Sequence, residues 1–98
     1  MSTLNVPNSL KLYQLETRPL HNGEQFIFKF LNGYGASVIN NSFSYSSKEA
    51  PWEVAVIKFL DDGEWEIVYD TPVTDNVLGY LTDSQVAEAL TQIKNLPK

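Results

Sequence analysis

The stretch Gln25-Phe-Ile-Phe-Lys-Phe-Leu-Asn-Gly-Tyr-Gly-Ala-Ser-Val-Ile39 decides the fold. Phe26, Phe28 and Phe30 alternate with Ile27, Lys29 and Leu31, a period of two that puts three aromatic rings on one side of an extended strand. Asn32-Gly33 follows, the dipeptide suited to a two-residue type I′ turn because both central positions need positive φ. That turn predicts an antiparallel hairpin pairing Leu31 with Tyr34, Phe30 with Gly35 and Phe28 with Ser37. The Phe30 ring would then lie over bare glycine backbone.

Downstream, Trp52 to Leu60 and Glu64 to Tyr69 read as a second hairpin closed at Asp61-Asp62-Gly63. With Asp62-Gly63 as a two-residue turn, Leu60 faces Trp65, Lys58 faces Ile67 and Val56 faces Tyr69. Trp52, Val54, Val56, Leu60, Trp65, Ile67 and Tyr69 then share the face expected to be core, since antiparallel sheets commonly bury one face and wet the other. Glu53, Ala55, Ile57, Phe59, Glu64, Glu66 and Val68 share the other, a mixed face with acids at its ends and an apolar centre. A one-residue change in the turn would exchange the faces of the two strands relative to each other.

Asp70 to Asn76 is a turn-rich connector, and Val77, Leu78, Tyr80 and Leu81 surround Gly79 as an apolar segment tucked under the domain. Thr82-Asp-Ser-Gln85 has the form of a capping box. It opens a helix to about Asn95, with Val86, Ala89, Leu90, Ile93 and Leu96 as its apolar stripe and Pro97 as its stop. The expectation is one α+β domain. Residues 1–24 form an N-terminal arm or additional short element, extended or irregular, with Met1 to Asn8 poorly ordered. A four-stranded antiparallel meander spans 25–69, the connector 70–81, and one C-terminal helix, 82–96, lies across the sheet (β-β-β-β-α).

The 98 residues sum to a net charge of −5, and the charge is polarised along the chain. Residues 49–88 hold Glu49, Glu53, Asp61, Asp62, Glu64, Glu66, Asp70, Asp75, Asp83 and Glu88 against Lys58 as the one base. A surface of one sign steers partners of the other, which points to binding. It argues against direct contact with nucleic acid, where phosphates call for clustered Lys and Arg. The N-terminus lacks the basic and apolar regions of a signal peptide, and no apolar run approaches the roughly 20 residues of a membrane span. With no cysteine in the chain there is no disulfide framework, thiolate metal site or cysteine nucleophile. The expected setting is cytoplasmic.

Catalytic motifs are missing from the string. His21, the one histidine, has no neighbouring nucleophile and orienting acid. Asp61-Asp62 and the pair Asp70 and Asp75 lack the alternating acids and central glycine of a calcium loop, so turn chemistry accounts for them. Gly33-Tyr34-Gly35 lacks the third glycine and following helix of a phosphate loop. No catalytic, cofactor or metal residue is expected. Two partner-binding candidates stand out. Glu53, Asp61, Asp62, Glu64 and Glu66 are gathered by the predicted hairpin toward one end and one face, either as a solvated solubilising face or as a docking surface for a basic partner. Phe43 and Tyr45 flank a polar loop, either as core or sheet-edge packing or as interface anchors.

Phe28-Lys-Phe-Leu-Asn-Gly-Tyr-Gly-Ala-Ser-Val38, Trp52-Glu-Val-Ala-Val-Ile57 and Tyr69-Asp-Thr-Pro-Val-Thr-Asp-Asn-Val-Leu-Gly-Tyr-Leu-Thr82 resemble stretches of small uncharacterised proteins encoded by bacteriophages and prophages. The resemblance spans roughly residues 25–96 and carries no activity or catalytic residue. It implies expression in the cytoplasm of a bacterial host. Joined to the acid cluster, it leads to the expectation of a non-enzymatic acidic binding protein that inhibits or modulates a host protein with a basic surface. Its carboxylates would stand in for nucleic-acid phosphates. The alternative is a small structural or assembly protein, a homo-oligomer or virion component joined through aromatic and sheet-edge surface.

Overall fold

The computed structural model describes residues 4–20, 23–40, 50–74 and 77–97. In chain order they form α1 (Asn8–Lys11), β1 (Gln14–Leu20), β2 (Gly23–Lys29), β3 (Tyr34–Asn40), β4 (Trp52–Phe59), β5 (Trp65–Ile67), β6 (Leu78–Leu81) and α2 (Asp83–Lys94). The class is α+β, as the patterning predicts, but the antiparallel sheet has six strands where four were expected. Neighbours run β1-β2-β3-β4-β5, and β6 also pairs with β4. It does so along the first half of β4, whose second half pairs with β5.

Both hairpins are one residue longer in the turn than expected, for the same reason. In the first, Lys29 pairs with Gly35, Phe28 with Ala36 and Phe26 with Val38. The loop is Leu31-Asn32-Gly33. Gly33 alone takes positive φ (87°), and the Asn32 Oδ1 accepts from the Tyr34 N–H at 3.0 Å. In the second, Phe59 pairs with Trp65 and Ile57 with Ile67 around Asp61-Asp62-Gly63. Gly63 has φ 86° and Asp62 Oδ1 accepts from the Glu64 N–H at 3.0 Å. An Asn or Asp that folds its side chain onto the amide two residues on stabilises this three-residue loop with a left-handed glycine.

The shift decides what is inside. Phe26, Phe28 and Phe30 share their face with Ala36, Val38, Trp52, Val54 and Val56, and these form the main core with Val86, Ala89, Leu90, Ile93 and Leu96 of α2. The helix starts where the sequence places it: Thr82 Oγ1 accepts from the Gln85 N–H, and Gln85 Oε1 accepts from the Thr82 N–H. In β5 and the residues that follow it, the exchange of faces moves Val68 against the core, while Ile67 and Tyr69, expected inside, are exposed. Leu60, also expected inside, is exposed as well.

The N-terminal segment holds additional short elements, α1 and β1, and residues 4–8, expected to be poorly ordered, are not. Leu4, Val6 and Leu10 are buried in the main core, and residues 14–20 form a full edge strand despite Pro19. Proline is compatible with an edge, where its missing N–H removes no ladder bond.

The opposite face of the sheet, expected to be mixed with acids at its ends and an apolar centre, is dry at that centre: Ile27 and Ile57 are 0% exposed, and Ala55, Gln25 and Ser37 are buried beside them. No described helix covers that side, so the sheet covers it by coiling. In a flat sheet β1 and β5 would stand about 19 Å apart. Here the Arg18 guanidinium of β1 lies 5.7 Å from the centroid of the Trp65 ring of β5. Gly35 contributes to the bend. A Cβ there would overlap the Phe28 carbonyl oxygen and come within 2.8 Å of the Phe59 ring. The aromatic-over-glycine packing therefore exists, but the ring is Phe59, not Phe30. Gln25 donates to the Ser37 hydroxyl at 2.8 Å, pairing polar groups that coiling has removed from water.

Candidate partner-binding surface

The turn that lengthens the β4–β5 hairpin also sets its acids. Asp61, Asp62 and Glu64 occupy its tip, exposed, and Asp62 spends one oxygen on the turn itself. Glu66 follows on β5, exposed and opposite Lys58. Asp61, Asp62, Glu64 and Glu66 make no ion pair among the described residues, where the one within reach is Arg18 with Glu16 at 3.6 Å.

Glu53 is not part of this group. It sits at the start of β4, roughly 23 Å from the tip for a strand of eight residues, opposite Ile39 on the face that coils inward. The predicted clustering of Glu53 with Glu64 and Glu66 assumed the two-residue turn. The extra loop residue carries Glu64 and Glu66 to the face of Val56 and Lys58. Phe43, Tyr45, His21 and Asp75 lie outside the described residues.

The apolar half of the surface is not visible in the sequence pattern. Leu60 is 43% exposed, Ile67 39% and Tyr69 53%, all on or beside the same hairpin. The available signal was the possible one-residue slip, which moves Ile67 and Tyr69 out of the core while leaving the pattern unchanged. The backbone adds a further feature. Leu60 donates to the Glu64 carbonyl at 2.8 Å and Val68 to the Val56 carbonyl at 2.9 Å. In an antiparallel ladder these bonds alternate, so Glu64, Glu66 and Val68 turn their backbone groups toward β4 and Trp65 and Ile67 turn theirs away. No described strand pairs with that outer edge.

Other surface features offer less. An open groove of about 550 Å³ between α1 and α2 is lined by Pro7, Leu10, Ala87, Glu88, Thr91 and Lys94 among others, without a histidine. Among the described residues no three His, Asp or Glu side chains are grouped to hold a metal ion. None of the described helices is long and apolar enough to cross a membrane. No family model, curated protein or solved structure matches this chain.

Proposed function

We propose that this is a non-enzymatic binding protein that docks the β4–β5 hairpin onto a basic surface of another protein. The observation that carries the reading is the hairpin itself: four exposed carboxylates without an ion pair among the described residues, next to exposed Leu60, Ile67 and Tyr69. Like charges held together cost stability, and apolar side chains left in water forgo burial. A partner with basic and apolar groups relieves both. The phage setting is part of the proposal, and within it the target is a host protein in the bacterial cytoplasm. A nucleic-acid-binding protein fits best, because a cleft built for phosphates also accepts a row of carboxylates.

The test is capture from bacterial lysate with the wild type and with the Asp61→Asn, Glu64→Gln, Glu66→Gln variant, which leaves Asp62 to hold the turn. The wild type should retain basic proteins that elute as ionic strength rises and the screening length falls below about 8 Å. The variant should retain none of them, and Glu53→Gln should behave as wild type. Identical capture by the triple variant defeats the reading. Exposed Leu60, Ile67 and Tyr69 favour a second reading, assembly of this chain with itself through apolar surface. That predicts a sedimentation coefficient rising with protein concentration and persisting at high salt.

A further inference from the structure

We infer that the outer edge of β5 receives an extended segment of the partner by strand addition, and that this segment alternates basic with apolar side chains. This rests on the binding reading above and specifies its occupant.

Trp65 and Ile67 direct N–H and C=O groups to an edge on which no described strand lies. An added strand would accept and donate there, and the period of two would divide its side chains between the two faces of β5. One face presents Glu64 and Glu66. The other presents Ile67 and Tyr69, with Trp65 half-buried between the hairpin and Arg18. A segment with Lys or Arg at every second position opposes the carboxylates, and apolar residues at the intervening positions cover Ile67 and Tyr69.

A second copy of this chain is a poor occupant. Antiparallel pairing of β5 with itself centred on Glu66 sets Glu66 against Glu66. Centring on Trp65 sets Glu64 against Glu66, and centring on Ile67 sets Glu64 against Asp70. Like charges directly opposed destabilise a ladder, so the acids select against self-pairing and for a basic strand. Acids that served only to blunt an edge would not need Ile67 and Tyr69 left exposed beside them.

The probes are two short Lys/Val peptides of one composition, one strictly alternating and one arranged in Lys-Lys-Val-Val blocks. They are titrated into the full chain and followed by amide hydrogen exchange. The alternating peptide should bind more tightly than the blocked one and slow exchange at the Trp65 and Ile67 amides. Ile67→Pro removes the outward N–H without removing a bond to β4, whereas Ile67→Ala keeps that N–H and loses only apolar contact. The proline variant should bind the alternating peptide about tenfold more weakly than the alanine variant, the loss of one or two edge hydrogen bonds. Retained protection at Glu66 and Lys58 verifies that the hairpin persists. Equal binding by the two Ile67 variants overturns strand addition, as does binding by the wild type without protection at Trp65 and Ile67. If the peptides bind equally and only the Asp61, Glu64, Glu66 triple variant loses both, charge docking stands and strand addition falls. If the triple variant binds both as the wild type does, both readings fall.

Discussion

The Asn32 side chain joins the β2–β3 turn to the C-terminal end of α2. Its Nδ2 donates to the carbonyls of Ile93, Lys94 and Leu96 at 2.9, 3.1 and 2.9 Å, while its Oδ1 accepts from the Tyr34 N–H. The last carbonyls of a helix have no partner within it; that of Ile93 also accepts from the Leu96 N–H, and the Asn32 amide adds a donor to all three, capping α2 across 61 residues of sequence. Replacing Asn32 with Asp keeps the size and the acceptor for Tyr34 but turns an acceptor, and a negative charge, toward three carbonyls at the negative end of the helix dipole. Asn32→Asp should cost about 1–3 kcal/mol in urea unfolding and be no milder than Asn32→Ala. A near-isosteric Asp variant as stable as the wild type would show that the amide does not cap α2. The Asn-Gly pair was legible as a turn. Its register was not, because the choice between a two- and a three-residue loop depends on where the amide bonds, and its partners include carbonyls far along the chain.

At the scale of elements, α2 was the most legible. Its capping box and apolar stripe are local patterns, and Val86, Leu90 and Ile93 are all fully buried. Asp83, in its first turn, accepts from the indole N–H of buried Trp52 at 2.7 Å, so the helix start is also fastened to β4. Leu90→Ala should cost about 2–5 kcal/mol, as deleting most of a buried side chain does. An unchanged denaturation midpoint would mean that α2 does not pack on the sheet. Strands β1 and β6 were not legible as strands. β1 is exposed along its described positions and contains a proline, so it lacks the alternation by which a half-buried strand declares itself. β6 is four residues interrupted by a bulge, with Tyr80 at φ 55° and exposed. Both are held by pairing to a neighbour, and their own composition does not announce them.

For the whole molecule, the radius of gyration of 12.4 Å matches the roughly 12.6 Å of a compact chain of this length. A small domain has little core to spare, and Leu4 and Val6 belong to it. Deleting residues 1–6 should therefore lower stability by about 3–6 kcal/mol, from the burial of two aliphatic side chains. A truncated chain with the wild-type midpoint would mean that the segment is dispensable. The coil of the sheet is also a property of the whole. It buries Ile27 and Ile57 without a covering helix, brings Arg18 to Trp65, and leaves β5 with its outer backbone edge unpaired among the described residues.

The sequence by itself determined the α+β class, the aromatic face of β2, the core positions of β4, both glycine turns and the helix with its cap. Each of these rests on contacts or preferences within a few residues. The tertiary structure alone decided the hairpin registers, the burial of the N-terminal segment and the second buried face. It also separated Glu53 from the hairpin acids and placed Ile67 and Tyr69 in solvent. A period-two pattern is unchanged in form by a slip of one residue, so the side a strand presents is settled only by the turn bonds and neighbouring strands that fix its partner.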